Sequence, residues 1–130
     1  MGKRFLIDTN VIIDYTANLF DDNGSAFVEN IFNTGFTISV VVKIEALGYH
    51  NDTFKMHLLE EFLATATIFP LDDAVTQKTI ELRRIKKLKL GDAIIAATAL
   101  VYNLTIITRN TEDFKNIDDL TFINPHIASN

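Results

Sequence analysis

The 130-residue chain contains no cysteine. Disulfides, thiolate zinc sites and cysteine nucleophiles are thereby excluded, and a reducing, cytoplasmic setting is expected. Long apolar runs are missing as well. The longest, AIIAATALVY from Ala93 to Tyr102, falls well short of the roughly 20 residues that cross a bilayer, and it reads as a buried helix. The N-terminus carries no apolar segment of signal-peptide length, and Leu6 stands where a myristoylation motif needs Ser or Thr, so no membrane association is expected. Proline occurs only at Pro70 and Pro125, and no linker, repeat or low-complexity tract divides the chain, so residues 1–130 are expected to form a single domain. Basic charge is scarce too. A formal net charge of −5 argues against non-specific duplex binding, although five of the twelve Lys and Arg residues are gathered in RRIKKLK, Arg83 to Lys89.

What is present is the composition of a folded domain, with 48 % hydrophobic and 22 % charged residues. Short β-rich runs at Phe5–Ile7, Phe36–Val40, Ala66–Phe69, Thr105–Thr108 and Leu120–Ile123 predict strands. Between them, helical patterns cover about Val11–Asn18, Ser25–Thr34 and Thr53–Thr65, and a run from an N-cap at Asp72 or Asp73 to Lys87 has Ile80, Leu82, Ile85 and Leu88 as its expected core side. In VVKIEALGY, behind Ser39, the residues Val42, Ala46 and Tyr49 can share one helical face, with Gly48 as a stop. Alternating strands and helices imply an α/β fold with a mostly parallel sheet and right-handed crossovers. Ligands of such sheets gather at the carboxyl ends of the strands.

Four acids fall where that rule points. Asp8 closes the first strand, Glu45 lies one turn into the helix after the second, Asp92 opens the apolar helix, and Asp113 follows a strand in IITRNTEDF. Singly, each has a plainer explanation: Asp8 as a turn residue, Asp92 as a helix N-cap, Asp113 as a loop acid. Glu45 is harder to dismiss, because among Val42, Ile44, Ala46 and Leu47 a carboxylate needs solvent or a partner. Converging carboxylates raise one another's pKa unless a cation neutralises them. With neither cysteine nor a histidine cluster available, an all-oxygen set favours Mg²⁺ or Mn²⁺ over zinc.

FLIDTNVIIDY, ISVVVKIEALGY, LKLGDAIIAATAL and IITRNTEDF, in this order and at these separations, resemble the PIN-domain ribonucleases, and among them the VapC-type toxins of bacterial toxin–antitoxin pairs. Each motif is weak alone, whereas the ordered set is specific and spans nearly the whole chain. The resemblance implies a three-layer α/β/α sandwich in which Asp8, Glu45, Asp92 and Asp113 bind Mg²⁺ or Mn²⁺ and support metal-dependent hydrolysis of RNA phosphodiester bonds. It further implies that Asn10, Thr108 and Asn110 orient the carboxylates or a water. A cognate antitoxin and a homodimeric state are carried over from it, and a basic antitoxin tail would fit an acidic site. Val42 departs from the pattern, standing where many relatives carry Thr or Ser, with Ser39 or Lys43 as compensating residues.

The remaining polar residues have two-sided readings. RRIKKLK is either a grip on RNA backbone upstream of Asp92 or a solvated helix face, and Arg109 and Lys115 offer a similar grip beside Asp113. Asp14 and Glu112 are read as solvated. His50, His57 and His126 share no ligand spacing and are read as surface or packing residues, so no histidine general base is expected. Phe20, Phe27, Phe32 and Phe36 are expected in the core, with any exposed subset a groove for a partner helix. The rival readings are a PIN-like RNA- or protein-binding module without turnover and, more remotely, a phosphoacceptor domain of the receiver type.

Overall fold

The structure is a computed structural model in which residues 4–48 and 53–127 are described. Five strands of three residues each, β1 (Phe5–Ile7), β2 (Thr37–Ser39), β3 (Thr67–Phe69), β4 (Thr105–Ile107) and β5 (Thr121–Ile123), form one sheet. All four pairings are parallel, and the strand order is β3-β2-β1-β4-β5. Among the described residues six helices connect them: α1 (Thr9–Thr16) and α2 (Asp22–Asn33) after β1, α3 (Val40–Leu47) and α4 (Thr53–Leu63) after β2, and α5 (Asp73–Ile85) and α6 (Leu90–Tyr102) after β3. Every expected strand and helix is present, with ends shifted by a few residues. A receiver-type domain orders its strands 2-1-3-4-5, so this topology removes that reading.

Successive residues of a strand face opposite sides of the sheet. In β1 both Leu6 and Ile7 are fully buried, and in β4 so are Ile106 and Ile107, which means helices cover both faces. That is the three-layer sandwich. Each such aliphatic side chain contributes roughly 1.5–3 kcal/mol by burial, and it explains why these strands read as unbroken apolar runs.

Polar side chains set the helix starts. Asp8 Oδ1 accepts from the Thr9 N–H at 2.8 Å, so α1 begins directly behind β1 and two residues earlier than its apolar pattern suggests. Asp21 accepts from the Gly24 N–H at 2.7 Å and starts α2. Ser39 accepts from the Val41 N–H at 3.1 Å, whereas Val42 is buried inside α3, so the departure from the family pattern leaves the helix capped. Asp72 caps α5 and also accepts from the Tyr102 hydroxyl, which ties α5 to the end of α6. Asn103 ends α6 in the left-handed region at φ 56°, a conformation that Asn tolerates better than most residues.

Three expectations need correction here. The buried side of α5 is Val75, Thr79 and Leu82, while Ile80 is 40 % and Ile85 75 % exposed. The period fits either stripe, and only the packing of α5 against α6 chooses between them. Asp92 is not an N-cap, because Lys89 occupies that position and Asp92 sits inside the first turn of α6. Asp14 is not solvated, being 2 % exposed. The four phenylalanines belong to the core as expected: Phe20 and Phe36 are buried, and Phe27 and Phe32 pack against the core. Tyr49 and His50 lie outside the described residues.

Candidate active site

The chain builds the sheet outward from β1 through β2 to β3, then returns to place β4 on the other side of β1. The crevice at the carboxyl ends of β1 and β4 is therefore the topological switch point, where open α/β sheets bind ligands. Asp8 leaves β1 at that point, and its N–H continues the ladder to the Ile107 carbonyl at 3.0 Å. Thr108 leaves β4 beside it. The Asp8 carboxylate is 5 % exposed, and its Oδ2 accepts from Thr108 Oγ1 at 2.8 Å and from Asn10 Nδ2 at 3.1 Å. Asn10 in turn accepts from the Arg109 N–H through Oδ1 at 2.9 Å, and the Asn110 N–H donates to Thr108 Oγ1 at 3.0 Å. The two strand ends are thus sewn together around one carboxylate. Asn10 and Thr108 do this through side chains, whereas Asn110 reaches the group through its backbone and its side chain is exposed.

Glu45 is on the exposed side of α3, and its Oε1 accepts from Thr9 Oγ1 at 2.7 Å. Its other oxygen lies against the start of α6: a Cβ on Gly91 would sit 3.1 Å from Glu45 Oε2. Glycine at that position gives the carboxylate room next to Asp92. Asp113 ends the 3-10 turn Thr111–Asp113 and is exposed.

Electrostatics connects the four. The Asp92 carboxyl is pushed up to about 6, first by burial and then by repulsion from Asp113 and Asp8, with Lys89 acting against this and Glu45 adding to it. Asp8 is also raised, chiefly by burial; Thr108, the Thr9 N–H and Asn10 pull it back down, and Glu45 adds repulsion. Acids from four separate segments of the chain therefore share one field. Among the described residues no three His, Cys, Asp or Glu side chains already stand close enough to grip an ion between them. The donor set nonetheless fits a hard divalent cation: it is all carboxylate, it has an excess of negative charge, and Mg²⁺ keeps several waters while using only one or two carboxylates directly.

The hydroxyl of Thr108 makes a prediction. Thr108→Val removes a donor from a buried carboxylate and leaves the Asn110 N–H without its acceptor. The expected cost is about 1–3 kcal/mol of stability at pH 7. Because Asp8 titrates above its ordinary value and would rise further, the loss should shrink at acid pH, where the carboxyl is protonated. Urea denaturation of the metal-free protein across pH checks this, with Thr108→Ser restoring the wild-type curve.

Arg109 and Lys115, which the sequence offers as grips on RNA, are both paired with carboxylates in the structure. Arg109 Nη1 binds both oxygens of Asp14, at 2.8 and 3.0 Å, and His126 Nε2 lies 2.9 Å from the same carboxylate while its ring stacks on Phe20. Arg109 is consequently a tether between α1 and the loop after β4, not a free grip for substrate. No sequence signal joins Asp14 to residues 95 and 112 positions away. Lys115 is paired with Glu112 at 2.6 Å, and His57 with Glu61 at 3.1 Å on the surface of α4.

Comparison with known proteins agrees with the fold. The PIN-domain sequence model matches residues 5–120. Ribonuclease VapC of Rickettsia bellii (strain RML369-C) is 31 % identical over 124 residues, which covers 88 % of this chain and 91 % of that protein. A solved toxin–antitoxin complex from Klebsiella pneumoniae contains a chain that is 29 % identical, with a TM-score of 0.77 and coverage of 92 % of this chain and 96 % of that one. VapBC2 from Rickettsia felis, solved on a DNA fragment from its promoter, shares the fold at a TM-score of 0.77 and 22 % identity, over 92 % of this chain and 97 % of that one.

Proposed function

The chain belongs to the PIN-domain family, among its VapC-type members, and from that premise we propose that it is a divalent-metal-dependent endoribonuclease, the toxin of a toxin–antitoxin pair. The observation that carries the metal-dependent reading is the placement of Asp8, Glu45, Asp92 and Asp113 around the switch-point crevice, where burial first and then repulsion from Asp113, Asp8 and Glu45 push the Asp92 carboxyl up to about 6. These four carboxylates would hold Mg²⁺ or Mn²⁺. When bound, the ion supplies water activation and charge neutralisation at the phosphate.

The chain's own contribution is orientation. Thr108 and Asn10 fix the Asp8 carboxylate from the β4 and α1 sides, and Thr9 fixes Glu45, so two of the acids are held by short hydrogen bonds before substrate arrives. With its carboxyl at about 6, Asp92 is largely an anion at neutral pH, a form that a neighbouring divalent charge would favour further.

The test is hydrolysis of single-stranded RNA by the purified protein with Mn²⁺, with Mg²⁺ and with EDTA. Cleavage in both metals and none in EDTA is expected. Cleavage that survives EDTA would sink the metal-dependent mechanism, and RNA left intact in all three would leave the PIN-like binding module as the reading.

The toxin–antitoxin complex among the relatives supports a protein partner for this chain. An apolar groove of about 710 Å³ between α1 and α4, lined in part by Ile13, Leu58, Leu59 and Phe62, offers such a partner surface to bury. Leu58, half exposed, is one of the accessible apolar residues that line it. Leu58→Asp is expected to weaken antitoxin binding at least about tenfold in a titration while RNA cleavage stays at the wild-type rate. Among the described residues no helix is long and apolar enough to cross a membrane. A cytoplasmic site of action and a homodimeric state complete the proposal, both resting on the family.

A further inference from the structure

A second part of the crevice is not acidic. A cleft of about 490 Å³ runs from Asp92 and Asp113 to the loop between α5 and α6, where Lys86, Lys87 and Lys89 line it. Its size is that of a small-ligand site, enough for about one nucleotide and too small for a duplex. Arg83 and Arg84 do not line it; they lie in the last turn of α5, where positive charge complements the helix dipole. The basic stripe is thus divided, with the arginines on the solvated helix and the lysines on the cleft.

None of the three lysines makes an ion pair within 4 Å among the described residues, in contrast to Arg109 and Lys115. Three lysines within four consecutive positions repel one another and favour an anion; the same cleft is also lined by Asp92, Glu112 and Asp113, of which Asp92 is attracted to Lys89 and Glu112 is paired with Lys115. Beside them Ile85 stands 75 % exposed, an aliphatic surface with no protein neighbour covering it, and Leu88 and Ile117 extend the apolar wall. Asn116, which is exposed, carries the only neutral side-chain amide among the described residues that line the cleft, with both a donor and an acceptor. Phosphate, apolar base face and base edge are each provided for within one pocket that ends at the carboxylates.

We propose that this cleft is the subsite for the nucleotide flanking the cleaved bond, with Lys86 and Lys87 holding its phosphate, Ile85 and Leu88 packing on its base, and Asn116 reading the base edge. The proposal rests on the nuclease reading above and adds a determinant of which RNA sequence is cut. Lysine contacts to phosphate position a strand without reading it, while an amide that bonds a base edge discriminates between bases.

The test measures binding of short single-stranded RNA oligonucleotides, each differing by one base, to the full chain carrying Asp92→Asn so that turnover does not interfere. Adding Lys86→Gln with Lys87→Gln is expected to weaken every oligonucleotide about tenfold and to reduce the slope of log K against log salt by about 1.4, two single-strand phosphate contacts. Adding Asn116→Ala is expected to shrink the spread of affinities between bases at one position, and adding Arg83→Gln with Arg84→Gln to change neither. An unchanged salt slope in the lysine variant, or an unchanged spread in the Asn116 variant, overturns the assignment. Cleavage of the same RNAs by the otherwise unaltered protein with Mn²⁺ reports separately on the nuclease reading. RNA that is held through the lysines but never cut overturns that reading and leaves the subsite, whereas RNA neither bound nor cut overturns both.

Discussion

Asp92→Asn is expected to slow RNA cleavage by about 10³-fold or more while making the metal-free protein more stable at neutral pH. In the proposed mechanism, removing one anionic oxygen from the metal site would forfeit several kcal/mol of charge stabilisation at the phosphate, and each 1.36 kcal/mol is tenfold in rate. The stability gain has the opposite origin. Asp92 titrates at about 6 in the folded chain against an ordinary 3.8, so between those values the folded state binds more protons than the unfolded one. The stabilising effect of its neutral form is complete below about pH 4 and is lost as pH rises through 6. Fully converted, the shift would be worth about 3 kcal/mol, but Asp92 is partly exposed and screening reduces the expected penalty to roughly 1–2 kcal/mol.

Thermal denaturation in EDTA from pH 4.5 to 8 reads this directly. The wild-type midpoint should fall relative to that of Asp92→Asn as pH rises through the window, with the variant above it at pH 7. Addition of Mn²⁺ should then raise the wild-type midpoint and raise the variant's much less, because ligand binding stabilises only the state that binds. Equal Mn²⁺ effects on the two proteins would remove Asp92 from the metal site even if cleavage were lost.

Asp14→Ala is expected to lower stability by about 2–3 kcal/mol without touching a candidate ligand. Its carboxylate is 2 % exposed and is held from one side by Arg109 and from the other by His126. Breaking a buried ion pair at one partner costs about 3–5 kcal/mol when the remaining charge stays buried, but Arg109 is half exposed and regains water, which places the expected loss lower. The three residues come from α1, the loop after β4 and the segment after β5, so their bonds fasten that loop and that segment to the helix that Asp8 starts. Loosening them should also reduce RNA cleavage about tenfold, since the Arg109 N–H holds Asn10, which holds Asp8. Urea denaturation and initial cleavage rates of Asp14→Ala beside Asp14→Asn check both effects; a variant with wild-type stability would show that the tether carries no load.

The strands were readable because a strand of a covered parallel sheet is apolar on both faces, so three or four consecutive β-branched or aromatic residues are enough to mark it. Asp8 was readable for a related reason: an aspartate directly behind such a run sits at a strand end whatever the rest of the fold does. Helix starts were less so. The apolar pattern of α1 begins at Val11, yet Thr9 and Asn10 belong to the helix because Asp8 accepts the Thr9 N–H, a bond that periodicity does not report. The same limit applies to α6, whose pattern begins at Ala93 while the helix begins at Leu90 and draws Asp92 into its first turn.

By itself, the sequence determined the alternation of strands and helices, the absence of thiol chemistry and the ordered motifs that mark the family. Those are local properties, written in burial periodicity and residue type. Tertiary structure alone decided which polar residues face one another: that Thr108 serves Asp8, that Arg109 is spent on Asp14, that Ile85 is left bare while Leu82 is buried, and that the lysines of RRIKKLK part from its arginines to line a cleft. Such pairings join residues about 100 positions apart, or separate neighbours onto different faces. They follow from strand order and helix packing, which no short stretch of chain contains.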